Sequence, residues 1–317
     1  KKLHLKLKLD LLEKKLALND YGKVAVLLGG ESNERAISLQ SGEAVLASLH
    51  HSKIETFALD PKFDSLDILD KCSRAFICLH GKDGEDGKVQ AYLDSIKIPY
   101  TGSNAQASKL GMDKLLSKDI WRKSKISTPN FMQLNARSIY DKVQSRLGTS
   151  FFIKAANSGS SLGVSKVTRS EQYHAAFECA YEVDNTVIAE TTICGREFTL
   201  PILNNEPLAI VEIRPKTDFY DYEAKYNRDD TEFICPAMLN EKLVSDINAL
   251  GIRAFNALGG SGWGRVDFMI NHQNEIFVIE VNTIPGMTSH SLVPLSAKHC
   301  GLTFDSLVLK ILDTAHA

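Results

Sequence analysis

The sequence predicts an α/β protein that opens with a doubly wound parallel sheet, and three observations lead there. Between residues 23 and 104, short continuous apolar runs alternate with helical stretches, the pattern of strands buried on both faces and linked through helices. Around residues 151–167 an apolar strand passes through a run of small residues into another strand instead of a helix. Residues 262–270 and 276–282 alternate apolar and polar side chains with period two, the mark of half-buried neighbouring strands.

Composition sets the bounds. At 317 residues, 44% hydrophobic and 24% charged, the chain is an ordinary soluble globular protein long enough for two or three domains. A net charge of -2 gives no sign of nucleic-acid binding. Six cysteines (Cys72, Cys78, Cys179, Cys194, Cys235 and Cys300) show neither CxxC pairs nor histidines at zinc spacing, which fits reduced thiols in a cytosolic protein. Residues 1–9 alternate charge and leucine, so they lack the continuous apolar core of a secretory signal, and no segment approaches transmembrane length. That leader reads as an edge strand, a membrane-surface segment or a tail of structural or incidental role.

In chain order, residues 24–28 predict a buried parallel strand that ends in Gly29-Gly30 and enters a helix over 36–49. Strands at 54–59 and 75–79 follow, the latter ending in His80-Gly81-Lys82-Asp83-Gly84. Ligands of such sheets bind beyond the carboxyl ends of the strands, where the Gly29 and His80 loops both fall. A dinucleotide fold is disfavoured: GxGxxG is absent, and no acidic residue ends the second strand in a convincing context. Helix-like residues 107–123 begin a second domain near residue 105.

Within that domain, the loop at 155–164 is rich in small and hydroxyl residues, with Lys154 at its root. It reads either as a phosphate clamp closed by backbone N–H groups or as a flexible hairpin tip. Residues 187–190 lead into a strand over 195–203, and the tyrosine-rich stretch 216–233 is a lid or a tyrosine-decorated surface loop.

In the C-terminal pair, matching the apolar faces selects a register with Val266 opposite Val281 and Phe268 opposite Ile279. Asp267 then faces Glu280, and Arg265 faces Asn282. Two carboxylates and an amide oxygen suit Mg²⁺ carrying substrate phosphates, and the adjacent arginine suits developing negative charge. The alternative is an amphipathic hairpin with a solvated polar face.

Taken in order, the motifs LLGGESNERAISLQSG at 27–42, LHGKDGEDG at 79–87, MDKLLSK at 112–118, SGSSLGVSKV at 158–167, FYDYEAKY at 219–226, GWGRVDFM at 262–269 and EVNTIPGMTSHSLVP at 280–294 resemble the D-alanine:D-alanine ligases of the ATP-grasp superfamily. The resemblance runs from about residue 23 to the end. It implies an α/β ATP-grasp fold in three domains, 23–104, 105–191 and 192–317, after a leader over 1–22, with ATP held between the central and C-terminal domains.

It further implies that two D-alanines are joined through a D-alanyl phosphate for peptidoglycan precursor synthesis, by a cytoplasmic homodimer without nucleic-acid or membrane partners. By matching position, Asp267, Glu280 and Asn282 would hold Mg²⁺, for which Mn²⁺ could substitute, and Arg265 would stabilise the oxyanion. Lys114, Lys154, Ser161 and Lys225 would contact the ATP phosphates, Glu190 the adenine and Glu197 the ribose. Glu34 would hold the first D-alanine ammonium, tied through Ser160 and Tyr226 to the closing loop. His80 aligns with a contact to the first D-alanine, and Ser291 with Leu292 to the second. Two positions depart from the family pattern: Ala155 stands where proline is usual and Thr191 where lysine is frequent. The other readings are a D-alanine:D-lactate or D-alanine:D-serine ligase, and a nucleotide-binding regulator that keeps the fold without turnover.

Overall fold

The structure, a computed structural model, describes residues 21–160, 162–216 and 231–315. The leader up to residue 20, Ser161, and residues 217–230 of the tyrosine-rich stretch, with Lys225 and Tyr226, lie outside the described residues.

Three sheets organise the described chain. The first is parallel, with β1 (Val24–Leu27) flanked by β2 (Thr56–Leu59) and β3 (Arg74–Ile77). All four residues of β1 are buried, as expected of a strand covered on both faces. Helix α1 (Arg35–His51) follows β1, and α2 (Lys88–Ser95) follows the His80 loop. Tyr21 already belongs to this unit: it is buried, and its hydroxyl donates to Asp313 Oδ1 at 2.8 Å.

The single helix expected over 107–123 is two helices, α3 (Ala105–Met112) and α4 (Lys114–Lys123). Asp113 breaks them: its backbone is extended, and its carboxylate accepts the N–H groups of Leu115 and Leu116 at 2.9 and 3.0 Å. The break sets Lys114 at the start of α4, where its amide donates to Ala156 at 3.0 Å.

The second sheet is antiparallel and runs β4 (Phe131–Leu134), β7 (Val187–Thr191), β5 (Phe151–Ala155), β6 (Ser165–Val167). Helices α5 (Tyr140–Leu147) and α6 (Ser170–Val183) share its core through Val143, Leu147, Phe177 and Ala180.

The third sheet is also antiparallel. Its order is β11 (Glu232–Ile234), β10 (Val211–Arg214), β8 (Gly195–Leu203), β12 (Trp263–Asn271), β13 (Ile276–Asn282), with β9 (Glu206–Pro207) on β8. Helix α7 (Glu241–Ala257) packs Ile247, Ala254 and Phe255 against Val266, Phe268 and Ile270. Helices α8 (Leu292–His299) and α9 (Phe304–Leu312) return to the core of the parallel sheet, so the two chain ends close one hydrophobic cluster.

The expected register of β12 and β13 holds for Arg265 with Asn282, Val266 with Val281 and Asp267 with Glu280. It fails at the next step. A bulge shifts the pairing, so Phe268 faces Val278 and not Ile279. Val278 is fully buried, while the extra residue, Ile279, turns toward the cavity described below. Strict alternation had placed Phe277 and Ile279 in the core. The bulge exchanges them for Val278, and burying each such apolar side chain is worth about 1.5–3 kcal/mol.

Candidate active site

Two cavities open along the polar face of β12 and β13. The first, ≈ 580 Å³, lies between the ends of the parallel strands and the C-terminal residues, and the second, ≈ 620 Å³, lies between the two antiparallel sheets. Lys114, Ser158 and Glu280 line both, so the cavities meet there.

Glu34, His80, Ser160, Arg265 and Asn282 line the first cavity, as do Ser291 and Leu292. Glu34 occupies the N-cap position of α1 but makes no side-chain cap. Its carboxylate instead accepts the Ser160 hydroxyl from the second sheet's loop, at a position where the helix dipole favours negative charge. Two glycines leave room for it. A Cβ on Gly81 would stand 2.7 Å, and one on Gly159 2.9 Å, from Glu34 Oε2. Gly81 also has a left-handed backbone, φ 68°.

His80 ends the third strand's loop and is buried. Its Nε2 lies 3.3 Å from Ser41 Oγ on α1, and that oxygen accepts the Met287 N–H at 3.0 Å. Burial holds the imidazole pKa below its ordinary value, against the opposing pull of Glu34. His80 therefore braces the loop after β13 as well as facing the cavity. Beside it, Glu85 is buried with Oε2 accepting the Gly81 N–H at 2.6 Å. Burial, then the nearby Glu34 carboxylate, pushes its pKa up to about 8, so it is protonated at neutral pH. Ser291 Oγ accepts the Thr288 N–H at 2.9 Å, which folds the 288–291 turn ahead of Leu292.

The second cavity is lined by Lys154, Glu190, Glu197 and Asp267, with Met269 and Ile279 as apolar surface. Glu190 is buried between two ammonium groups: Lys154 at Oε1, and Lys118 Nζ 2.8 Å from Oε2. Burial alone would raise the carboxyl pKa; the paired lysines outweigh it and hold it at about 2. Lys114 Nζ donates to the Ser158 carbonyl at 2.6 Å and lies 3.4 Å from Glu280 Oε2. Thr191, where lysine is frequent in the family, donates its hydroxyl to the Leu147 carbonyl at 3.0 Å.

Asp267 is held from two sides. Arg265 donates to both of its oxygens at 2.8 Å, and Thr199 Oγ1 on β8 donates to Oδ1 at 2.6 Å. Asn282 Oδ1 accepts the Ile284 N–H at 3.0 Å. Among the described residues no three His, Cys, Asp or Glu side chains gather as a metal cage. The set that the register assembles is two carboxylates and an amide at the junction of the cavities, an all-oxygen set that fits a hard cation completing its shell with phosphate and water.

Lys118, Ser41, Glu85, Gly81 and Gly159 lie inside the quoted motifs and Thr199 outside them, but the motifs assign none of them a role. Lys118 carried one usable signal, its i,i+4 spacing from Lys114 on one helix face. Asp60 is an acidic residue directly after the second strand, β2. It is engaged by Arg35 at 2.6 Å and by the Gly30 N–H at 2.9 Å, where it braces the Gly29-Gly30 loop.

The chain matches the family models described as "D-ala D-ala ligase N-terminus" over residues 61–103 and "D-ala D-ala ligase C-terminus" over residues 120–313. It is 48% identical over 295 residues to a D-alanine–D-alanine ligase of Acinetobacter baumannii (strain AYE), covering 92% of this chain and 96% of that one. Among solved structures, the Bacillus anthracis D-alanine–D-alanine ligase complexed with ATP superposes with a TM-score of 0.82 at 32% identity, covering 92% and 97% of the two chains. The VanG D-Ala:D-Ser ligase of Enterococcus faecalis gives a TM-score of 0.81 at 28% identity, covering 92% and 98%.

Proposed function

The chain belongs to the D-alanine–D-alanine ligase family, and from that premise we propose how its own residues divide the work of the reaction. The fold is ATP-grasp, and the reaction is ATP-dependent ligation of two D-alanines to D-alanyl-D-alanine, a step of peptidoglycan precursor synthesis. A carboxylate is a poor acyl donor. One D-alanine carboxylate attacks the γ-phosphate to give D-alanyl phosphate and ADP; the amine of the second D-alanine then displaces phosphate.

The observation that carries the division of roles is the junction of the two cavities at Lys114, Ser158 and Glu280. We assign the second cavity to ATP. Glu190 then faces the adenine, Glu197 the ribose, and Lys154 and Lys114 the phosphates. Ser161 and, from the lid, Lys225 join them. The family uses Mg²⁺ with ATP; Asp267, Glu280 and Asn282 would hold it, and there it would neutralise phosphate charge. The first cavity takes both D-alanines. Glu34, anchored by Ser160, receives the donor ammonium, and by matching position Tyr226 is its second hydroxyl partner. Arg265 faces the oxyanion, His80 steadies the donor side, and Ser291 with Leu292 bounds the acceptor.

The division into domains 23–104, 105–191 and 192–317, a cytoplasmic location and a homodimer belong to the same proposal. No helix among the described residues is long and apolar enough to cross a membrane.

The experiment is phosphate release from ATP and Mg²⁺ with D-alanine, followed by D-alanine competing against D-serine and D-lactate. Release with D-alanine and a D-alanyl-D-alanine product is expected. Release only when D-serine or D-lactate is the acceptor would overturn the acceptor assignment, and tight ATP binding without turnover would favour a regulator.

A further inference from the structure

We propose that Lys118 is a positioning residue for nucleotide: by neutralising Glu190 it leaves the positive charge of Lys154 available to the ATP phosphates. The inference rests on the assignment of the second cavity to ATP.

Lys118 sits on the inner face of α4 with 1% of its side chain exposed, and its Nζ lies 2.8 Å from Glu190 Oε2. It also donates to Thr128 Oγ1 at 2.9 Å and lies 6.0 Å from the centre of the Phe131 ring. Lys154 holds the opposite oxygen of the same carboxylate. Glu190 and Lys154 line the cavity; Lys118 does not. Burial lowers the Lys118 pKa from its ordinary value and the Glu190 carboxylate opposes that shift; with both lysines protonated the three groups sum to +1, one ammonium sealed behind the carboxylate and the other facing the ligand.

That arrangement separates two demands on Glu190. As an adenine contact it must stay ionised and fixed beside Lys154, yet an uncompensated carboxylate there would cancel the lysine that meets the phosphates. A buried ammonium on its far side removes the conflict, because an ion pair out of water is screened weakly by salt and solvent. Replacing Lys118 by an uncharged side chain leaves Glu190 and Lys154 as a neutral pair, so a triphosphate approaching Lys154 also meets the charge of Glu190.

The test measures binding of adenosine, AMP, ADP and ATP, with Mg²⁺, to wild type, Lys118→Met, Glu190→Gln and the double variant. Lys118→Met should leave adenosine affinity nearly unchanged and weaken ATP on the order of tenfold, the size of coupling found between charges in one network. The double variant should recover most of that loss, because it removes the carboxylate that Lys118 neutralises. Equal losses for adenosine and ATP, or additive losses in the double variant, would overturn the proposal in favour of a packing role. Should Lys118→Met not fold, the double variant decides: a ratio of ATP to adenosine affinity within about threefold of wild type supports neutralisation, and any larger fall in that ratio overturns it. Wild-type protein that bound none of the four would overturn the ATP assignment itself, and the inference with it.

Discussion

Replacing Arg265 by alanine separates binding from chemistry, and the geometry supplies the magnitude. The guanidinium lines the first cavity and grips Asp267 through two 2.8 Å bonds, with side-chain exposures of 17% and 11%. Loss of a donor to a developing oxyanion costs ~10²–10³ in rate, ~2.7–4 kcal/mol. The substitution also strips Asp267 of charge-assisted bonds worth about 1.5–3 kcal/mol to the carboxylate. Only the second effect bears on Mg²⁺-ATP, and there an Asp267 relieved of its guanidinium would be a more negative ligand, so cation binding should be held or strengthened.

The expected outcome is a fall in kcat of at least ~10²-fold with the ATP dissociation constant changed by less than about threefold. Phosphate and ADP release at saturating D-alanine give the first number, and calorimetric titration with ATP at saturating Mg²⁺ gives the second. Equal losses in turnover and ATP affinity would refute the reasoning and make Arg265 a phosphate ligand. Arg265→Lys, which keeps the charge but not the two-pronged grip, should fall between wild type and alanine.

Ser160→Ala removes the hydroxyl that joins the second sheet's loop to Glu34. A hydrogen bond to a charged group is worth ~1.5–3 kcal/mol, so kcat/KM for the donor D-alanine should drop ~10–150-fold, and a loss seen only in KM for ATP would count against the role. Gly159→Ala should act in the same direction by a different route, since its methyl would stand 2.9 Å from Glu34 Oε2; unchanged donor KM would show that the loop yields. Glu85, pushed up to about 8, binds a proton in the folded protein that the unfolded chain gives up near its ordinary 4.5. Its contribution to stability is thus present below about pH 4.5 and lost by about pH 8. Glu85→Gln should flatten the fall in denaturation midpoint between pH 5 and 8, and parallel curves for the two proteins would refute an elevated Glu85 pKa.

The sequence by itself determined the classes of element and most of the wall on which the chemistry is proposed. Apolar period two on 262–270 and 276–282 was enough to pair Asp267 with Glu280 and Arg265 with Asn282, because a one-residue slip would bury the charged face. It was not enough past Asp267, since alternation assumes equal residue counts on both strands and the bulge breaks that count. The helix over 107–123 failed for a related reason: local propensity saw no stop at Asp113, whereas the capping bonds and the contact of Lys114 with Ala156 divide it.

Tertiary structure alone decided the long-range closures. Glu34 finds Ser160, Gly81 and Gly159 from distant segments, and Ser41 meets His80 and Met287 only when the last helices fold back on the first sheet. Lys118 shows the limit most clearly. In the sequence it is one more lysine on a charged helix, where exposure is the default; in the fold it is sealed against Glu190, on the oxygen opposite the one that Lys154 holds. Local patterns encode which face a side chain takes, but which charges share a buried space depends on how segments far apart in the chain pack, and that no local pattern carries.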